Sequence, residues 1–294
     1  TFSWRWGFYL VLPIGVVALL LTWIGLDDKT LPSEWRNLSI DWLGAFGIGA
    51  ALCAGLVGLQ WVGAGNTQST LGIFLVIFAG IMLVFSLRWE RNHPDPVMPI
   101  ALLRHPSMWK AALGTLLLGM ITNSAIAYFP LYLEKIHAQS ATETGFALIP
   151  MLLLAGVGSG LGGALANRWL KQTHIAAWIL VSLGFFALTL TNAKSIFWMA
   201  SAIGGGMGLL LPIYLELAQS AGGKEYLATA SGLVQLARNL GGAMGIPLLG
   251  IWLLKGENDP LTFVSIFATL TLVGLFGLLL AVTGNLSTEK VSRK

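Results

Sequence analysis

Nine apolar stretches of membrane-spanning length occupy most of this chain. The hydrocarbon core of a bilayer is about 30 Å thick, so a helix needs about 20 apolar residues to cross it. Apolar residues make up 55% of the 294 residues and charged residues 10%, whereas a soluble domain has about 25% charge. The stretches are Phe8–Leu26, Trp42–Val62, Leu71–Leu87, Trp109–Leu133, Phe146–Ala166, Ile175–Leu190, Ile196–Ala218, Leu227–Leu254 and Leu261–Val282.

These stretches are apolar on every face, whereas the strands of a membrane barrel alternate in polarity over about 10 residues. Helices satisfy their own backbone hydrogen bonds in lipid. The sequence therefore predicts an all-α polytopic membrane protein with about nine transmembrane helices. Secondary transporters are usually built from paired repeats, which give even numbers of helices. An odd number therefore suggests that helices are missing or added.

The distribution of basic residues predicts the topology. When the loops are assigned alternately to the two sides, twelve Lys and Arg residues fall on one side and four on the other. Short cytoplasmic loops carry the excess of Lys and Arg, so we expect the N-terminus outside and the C-terminus inside. This explains the net charge of +4 without a nucleic-acid partner. The first stretch lacks a small-residue cleavage site, so we interpret it as a span rather than a signal peptide.

No pattern in the chain favours an enzyme, a metal site or a cofactor site. Gly158 to Gly163 match the dinucleotide-binding spacing but lie inside an apolar helix rather than after a strand. The lone Cys53 is expected to be a small buried residue. The four histidines fall in predicted loops without metal-ligand spacing; they are His93, His105, His137 and His174.

Several local patterns resemble one transporter family. The opening Ser3-Trp4-Arg5-Trp6-Gly7-Phe8-Tyr9, followed by Leu12-Pro13-Ile14-Gly15, resembles the start of the sixth helix in the fourteen-helix drug:proton antiporters of the major facilitator superfamily. Similar matches are Pro99-Ile100-Ala101-Leu102-Leu103-Arg104, Pro130-Leu131-Tyr132-Leu133 and Gly232-Leu233-Val234-Gln235-Leu236-Ala237-Arg238-Asn239-Leu240-Gly241-Gly242-Ala243-Met244-Gly245. The last match is the most specific, because it combines a membrane arginine with a glycine pattern.

The resemblance implies a partial major facilitator fold that is entered at the sixth helix, and this explains the odd number of spans. It also implies that five helices are absent, together with the antiporter signature and an acidic residue. Asn167 stands where the family pattern has Asp. The implied regions are the last helix of the N-terminal half (1–26), two extra linker helices (27–90), a proline-rich cytoplasmic loop (91–107), the C-terminal six-helix half (108–285) and a cytoplasmic tail (286–294).

Arg238 is the sharpest single candidate for a functional residue. It lies eleven residues after Leu227, or about 16 Å along a helix, where a charge costs about 2.5–3.5 kcal/mol on insertion scales. A contact with substrate, a gating hydrogen bond and a purely structural role all stay open. Glu216 is the acidic residue well inside a span and is the candidate for proton coupling. It could also simply reach the headgroup region.

A set of polar side chains is predicted to line a cavity, although each alone could be an interhelical hydrogen bond. The set comprises Asn123, Tyr128, Tyr214, Gln235 and Asn239. Small-xxx-small spacings predict close helix packing, with or without sliding between transport states. The packing candidates are Gly156, Gly160, Gly204, Gly208, Gly241 and Gly245, together with the pair Gly158 and Gly162.

The resemblance implies proton-coupled export of small amphipathic or cationic compounds or drugs across the bacterial inner membrane. The implied partners are the substrate, protons, the bilayer and a missing N-terminal half that is required for transport. A periplasmic adaptor protein stays open. The alternative is a truncated remnant that acts as a scaffold or interaction protein. We expect that the 294 residues alone do not transport.

Overall fold

The structure is a computed structural model that describes residues 5–25, 41–62, 66–90, 102, 105–190, 196–223, 226–253, 256 and 258–283. The chain divides into two compact units, Thr1–Ile40 and Asp41–Lys294. The first unit contains one described helix, and the second contains all the others. Most of the predicted loop 91–107 and the whole predicted tail 286–294 lie outside the described residues.

Every regular element within the described residues is an α-helix. One long helical segment, Ala141–Leu190, is interrupted at Trp169, where φ is −136° and ψ is 48°, so its two halves are treated as separate helices. The helices are α1 (Arg5–Gly25), α2 (Trp42–Val62), α3 (Asn66–Glu90), α4 (Pro106–His137), α5 (Ala141–Ala166), α6 (Arg168–Leu190), α7 (Ile196–Gly222), α8 (Leu227–Leu253) and α9 (Pro260–Thr283).

The predicted all-α membrane protein is confirmed. Within the described residues, seven helices are long and apolar enough to cross a bilayer. The apolar part of α1 is the shorter segment Val11–Gly25. Helix α8 has 27 residues, and its mean hydropathy is lowered by Gln235, Arg238 and Asn239. Each of the nine predicted stretches falls on one of these helices.

Several helices begin at side chains that satisfy their first free N–H groups. Asp41 precedes α2, and its Oδ1 accepts a hydrogen bond from Gly44 N–H at 2.8 Å. Before α5, the Glu143 carboxylate accepts from Ser140 N–H at 2.8 Å, and Ser140 Oγ accepts from Glu143 N–H at 3.3 Å. This reciprocal capping box satisfies two donors at once.

The prediction that His174 lies in a loop is wrong. The polar run 167–174 lowers the local hydropathy, so the sixth span was predicted to begin at Ile175. The structure instead begins α6 at Arg168 and buries His174, which is 3% exposed.

The guanidinium of Arg168 lies 5.1 Å from the ring centroid of Trp169, which is the geometry of a cation–π contact.

Helices α4 to α9 supply the hydrophobic core, and the α2–α3 hairpin contributes nothing to it within the described residues. Aromatic rings join α6 to α9: the ring centroids of Phe185 and Phe267 are 6.3 Å apart. The largest fully buried side chains include Trp178, Tyr214, Phe129, Phe185, Phe263 and Phe267. The bundle α4–α9 therefore holds the hydrophobic core of the second unit.

Helices α4 and α8 run parallel with their backbones in close contact. A Cβ added at Gly241 would collide with the carbonyl oxygen of Leu116, and one added at Gly245 would lie 2.7 Å from that of Met120. One turn earlier, Gly119 faces the Arg238 backbone carbonyl in the same way. Small residues permit such approaches where lipid supplies no hydrophobic drive for helix association.

Helices α5 and α7 form a second parallel pair. Gly204 faces the Met151 carbonyl oxygen and Gly208 faces that of Ala155, and in both places an added Cβ would collide with the carbonyl. Helix α6 runs antiparallel to α7, with Gly206 against Ala177. The six-helix body is thus organised around two glycine-mediated parallel pairs.

The predicted packing role of Gly156 and Gly160 is not found among the described residues. An added Cβ at either position would meet no atom within 4 Å. The neighbouring pair Gly158 and Gly162 faces α7 instead, and Cβ atoms there would lie 2.7 Å from the Gly205 carbonyl oxygen and 2.6 Å from Pro212, respectively. The two pairs share a spacing of four residues but lie about 200° apart around the helix.

Helices α2 and α3 form an antiparallel hairpin beside α8. A Cβ added at Gly58 would lie 2.8 Å from the Gly72 carbonyl oxygen, so the two helices are in close contact near their connection. The buried face of α2 includes Ile48 and Ala51. Cys53 is exposed, contrary to the prediction of a buried residue, because it lies about 200° around the helix from Ala51.

Replacement of Gly241 by Ala should lower the melting temperature of the chain in detergent micelles. The added methyl group collides with the Leu116 carbonyl, and overpacking of this kind costs about 1–3 kcal/mol. Gly156→Ala is the matched control, because its methyl group meets open space and alanine favours the helix by up to about 1 kcal/mol. Equal melting temperatures for the two variants would contradict the close contact between α4 and α8.

Candidate functional site

A cavity of about 150 Å³ lies between α4, α5, α7 and α8. Its walls are mostly apolar. The polar side chains that line it are Thr122 from α4, Ser159 from α5 and Arg238 from α8. Among the described residues of the lining, only Arg238 is charged. The charged side chain of Arg238, which is costly to place in the membrane, therefore lies next to free space in this cavity.

Arg238 reaches the cavity because α8 lies so close to α4. Its backbone carbonyl rests against Gly119, and its side chain is half-buried and lines the cavity. The guanidinium makes no hydrogen bond or ion pair with any residue that the structure describes. An arginine inside a membrane span is stable when it faces a wet cavity or a partner. Of these two environments, Arg238 has the cavity, because no described residue pairs with it.

Asn123, Gln235 and Asn239 lie on the same two helices but do not line the cavity. All three are exposed. Gln235 Nε2 donates to Asn239 Oδ1 at 3.4 Å, and the amide of Asn123 packs over Gly242. These residues form a polar surface on α4 and α8 next to Arg238.

Tyr128 is buried rather than cavity-lining. Its hydroxyl donates to the carbonyl oxygen of Ile246 at 2.5 Å, which ties α4 to α8. This is the interhelical hydrogen bond that the sequence left open as the alternative. Tyr214 is likewise buried, at 1% exposure, and lies apart from the lining of the cavity.

Tyr214 belongs to a buried polar cluster that the sequence did not reveal. Trp178 Nε1–H donates to the Tyr214 hydroxyl oxygen at 2.8 Å, and this oxygen lies 2.9 Å from His174 Nε2. An indole nitrogen can only donate, so the Tyr214 hydrogen is free to bond His174 Nε2. The ring proton of His174 is then on Nδ1, which has no partner among the described residues. The cluster joins α6 to α7 by polar contacts.

Glu216 lies on α7, two residues after Tyr214, and is half-buried. It does not line the cavity of Arg238. Within the described residues it makes no ion pair with Arg238 or with any other cation. The two charged candidates are therefore separate in this structure.

Further cavities border the α2–α3 hairpin. One of about 720 Å³ lies between the facing ends of α2 and α3 and is lined by aromatic residues such as Trp42 and Trp89, and one of about 320 Å³ separates the hairpin from Leu240 and Met244 of α8. No charged side chain among the described residues lines these two cavities. Another, of about 530 Å³, lies on α3 and includes the exposed Arg88 in its lining. Size alone therefore does not mark the candidate site.

Most residues that line the Arg238 cavity were not recognised from the sequence, among them Thr122, Met151, Ser159 and Met207. Thr122 donates to Leu118 O at 2.8 Å and lies 3.5 Å from Met207 Sδ. Ser159, a polar residue among the glycines of α5, was the available signal. Within the described part of the chain, no three His, Cys, Asp or Glu side chains lie close enough to hold a metal ion.

Comparison with known proteins gives one family. Residues 1–246 match the family model of the Major Facilitator Superfamily. The chain is 26% identical over 268 residues to the multidrug transporter protein MdtP of Bacillus subtilis, which covers 88% of this chain and 49% of that protein. It is also 26% identical over 259 residues to the dehydrocurvularin exporter of Alternaria cinerariae, and this match covers 82% of this chain and 44% of the exporter. The chain thus spans about half the length of the curated relatives it matches.

A solved structure shares the fold. It is a bacterial homolog of the human lysosomal transporter Spinster in an inward-facing and occupied conformation. The TM-score is 0.51 with 15% sequence identity, and the match covers 82% of this chain and 68% of that chain.

Replacement of Tyr214 by Phe should destabilise the chain by about 1–3 kcal/mol, because it leaves the buried N–H of Trp178 and the Nε2 of His174 without the shared hydroxyl. Thermal unfolding in detergent measures the change. Tyr132→Phe is the matched control, since Tyr132 is also buried and keeps its ring contacts with Phe263 and Phe267. A loss of equal size in both variants would contradict a specific role for the cluster.

Proposed function

The chain belongs to the major facilitator superfamily, and on this premise we propose that the full-length protein containing it is a proton-driven exporter of small amphipathic compounds. The chain itself is a multi-pass membrane protein, and its family and fold indicate a transporter rather than an enzyme. Export is favoured because relatives are named as a multidrug transporter and an exporter.

The observation that carries the proposal is the half-buried Arg238, unpaired among the described residues, in a cavity between four helices. Secondary transporters place their substrate near the bilayer midplane, at the interface between repeats. Arg238 lies near the middle of α8 and beside the polar surface of Asn123, Gln235 and Asn239. Together these groups form one wall of a substrate site.

The second wall comes from outside the 294 residues. Drug-sized sites have volumes of about 300–1,000 Å³, and the cavity at Arg238 has about 150 Å³. The chain also spans about half of its curated relatives. We therefore assign the rest of the site to an N-terminal half, against which the bundle α4–α9 rocks during alternating access.

Energy for export comes from protons in this proposal. A proton that moves down a membrane potential of 100 mV supplies about 2.3 kcal/mol. Glu216 is the coupling candidate because it is the acidic side chain well inside the described spans. We place the protein in the bacterial inner membrane, with the N-terminus of this chain periplasmic and the C-terminus cytoplasmic, on the distribution of Lys and Arg. A periplasmic adaptor is a further candidate partner.

Transport should require the full-length protein. Everted membrane vesicles with the full-length protein should accumulate a fluorescent amphipathic dye when a pH gradient is imposed, and dissipation of the gradient should abolish uptake. Vesicles with equal amounts of the 294-residue chain should accumulate none, because one wall of the site is absent. Uptake by the short chain would contradict this proposal, and no uptake by either would contradict export.

Glu216→Gln in the full-length protein should uncouple transport from protons. Glutamine keeps the shape of the side chain but cannot bind and release a proton, so dye-dependent proton release should fall at least about tenfold while dye binding persists. Glu134→Gln is the matched control, since Glu134 is exposed at the end of α4. Unchanged proton release in the Glu216 variant would assign coupling to another group.

A further inference from the structure

We propose that the Arg238 cavity is an anion-selective subsite that binds the carboxylate, or another monoanionic head, of an amphipathic compound. The inference rests on the proposed function, because it names the charge of the substrate at the same site. It departs from the cationic substrates that the sequence resemblance implied. The charge and the hydrogen-bonding capacity of the cavity lining support it.

The charge of the lining is positive. Arg238 is charged, and no acidic side chain among the described residues lines the cavity. Glu216 lies outside the lining, and no described residue pairs with the guanidinium. A cationic ligand would therefore meet a like charge, whereas an anion would neutralise a charge that is costly to leave unpaired in the membrane.

The free hydrogen-bonding groups of the lining are mostly donors. The guanidinium has five N–H groups and no acceptor. The hydroxyl hydrogen of Thr122 is already used, because Thr122 donates to Leu118 O at 2.8 Å. Ser159 is exposed and has no hydrogen-bond partner among the described residues, so its O–H is free to donate. A carboxylate offers acceptors only and can bind an arginine with two parallel hydrogen bonds.

The rest of the lining suits an apolar group next to the anion. Met151 and Met207 place thioethers in the lining, beside Leu118, Ile126 and Leu211. Methionine is flexible and polarizable, so it adapts to ligands of different shape. Since the cavity has about 150 Å³, it accommodates the head and the first part of an apolar body. Most of a drug-sized substrate lies beyond it, toward the other wall.

Two probes of the same shape and different charge test the inference. They are radiolabelled naphthalene-2-carboxylate and naphthalene-2-carboxamide, bound to the full-length protein in nanodiscs, with empty nanodiscs as the blank. The wild type should bind the carboxylate more tightly. Arg238→Gln should weaken carboxylate binding at least about tenfold, as expected for loss of a hydrogen bond between charged groups, and should change carboxamide binding less than about threefold. Arg238→Lys should retain most of the preference.

Two further variants keep the test decisive if Arg238→Gln folds poorly. Ser159→Ala should weaken carboxylate binding about two- to tenfold through loss of one neutral hydrogen bond. Arg88→Gln is the matched control for charge, since Arg88 is exposed in the last turn of α3, and it should leave both probes unaffected.

The inference is overturned if the wild type shows no preference for the carboxylate, or if both Arg238→Gln and Ser159→Ala leave the preference intact. An acidic residue from outside the described residues that neutralised Arg238 would also abolish the preference for the carboxylate, and this outcome overturns the inference as well. Vesicle export separates this failure from failure of the proposed function. Proton-driven export without a preference for the carboxylate would support the exporter function and contradict the anion subsite. A preference for the carboxylate without any export would support the anion subsite and contradict the exporter function.

Discussion

Close contact between helix backbones, made possible by glycine, is the interaction on which the rest of this structure depends. Lipid tails are as apolar as leucine, so apolar side chains gain little by leaving lipid for a helix interface, and association depends on packing and polar contacts. Gly241 brings α8 onto α4, and Gly204 and Gly208 bring α7 onto α5. The two parallel pairs place Arg238, Met151 and Met207 around one cavity.

Two polar groups in this bundle show opposite solutions to the same energetic problem. In the cluster of His174, Trp178 and Tyr214, the indole N–H, the phenol and the imidazole Nε2 bond one another across α6 and α7, which holds a fixed contact, although His174 Nδ1 has no partner among the described residues. Arg238 has no such partner within the described chain and faces free space. Buried polar groups stabilise a structure when they are paired and favour a ligand when they are not. The first group is therefore a structural element and the second a candidate binding site.

The helices were predictable because their periodicity and length are local properties. The face of each helix that contacts a neighbouring helix was not predictable. Gly156/Gly160 and Gly158/Gly162 have the same spacing, and only the position of α7 decides that the second pair is in contact. Likewise, hydropathy placed His174 in a loop, because it averages over a polar run and does not register that Tyr214 and Trp178 contact the imidazole Nε2 inside a helix.

The sequence by itself determined an all-helical membrane chain, the approximate positions of its spans and the presence of a charged residue, Arg238, within one of them. These follow from hydrophobic length and from the cost of charge in hydrocarbon, which depend on neighbours along the chain. The tertiary structure alone decided that Tyr128 and Tyr214 are buried hydrogen-bond partners and that Thr122, Ser159 and two methionines share the cavity of Arg238. Those residues come from four helices, and their meeting depends on which glycine faces allow the backbones to approach.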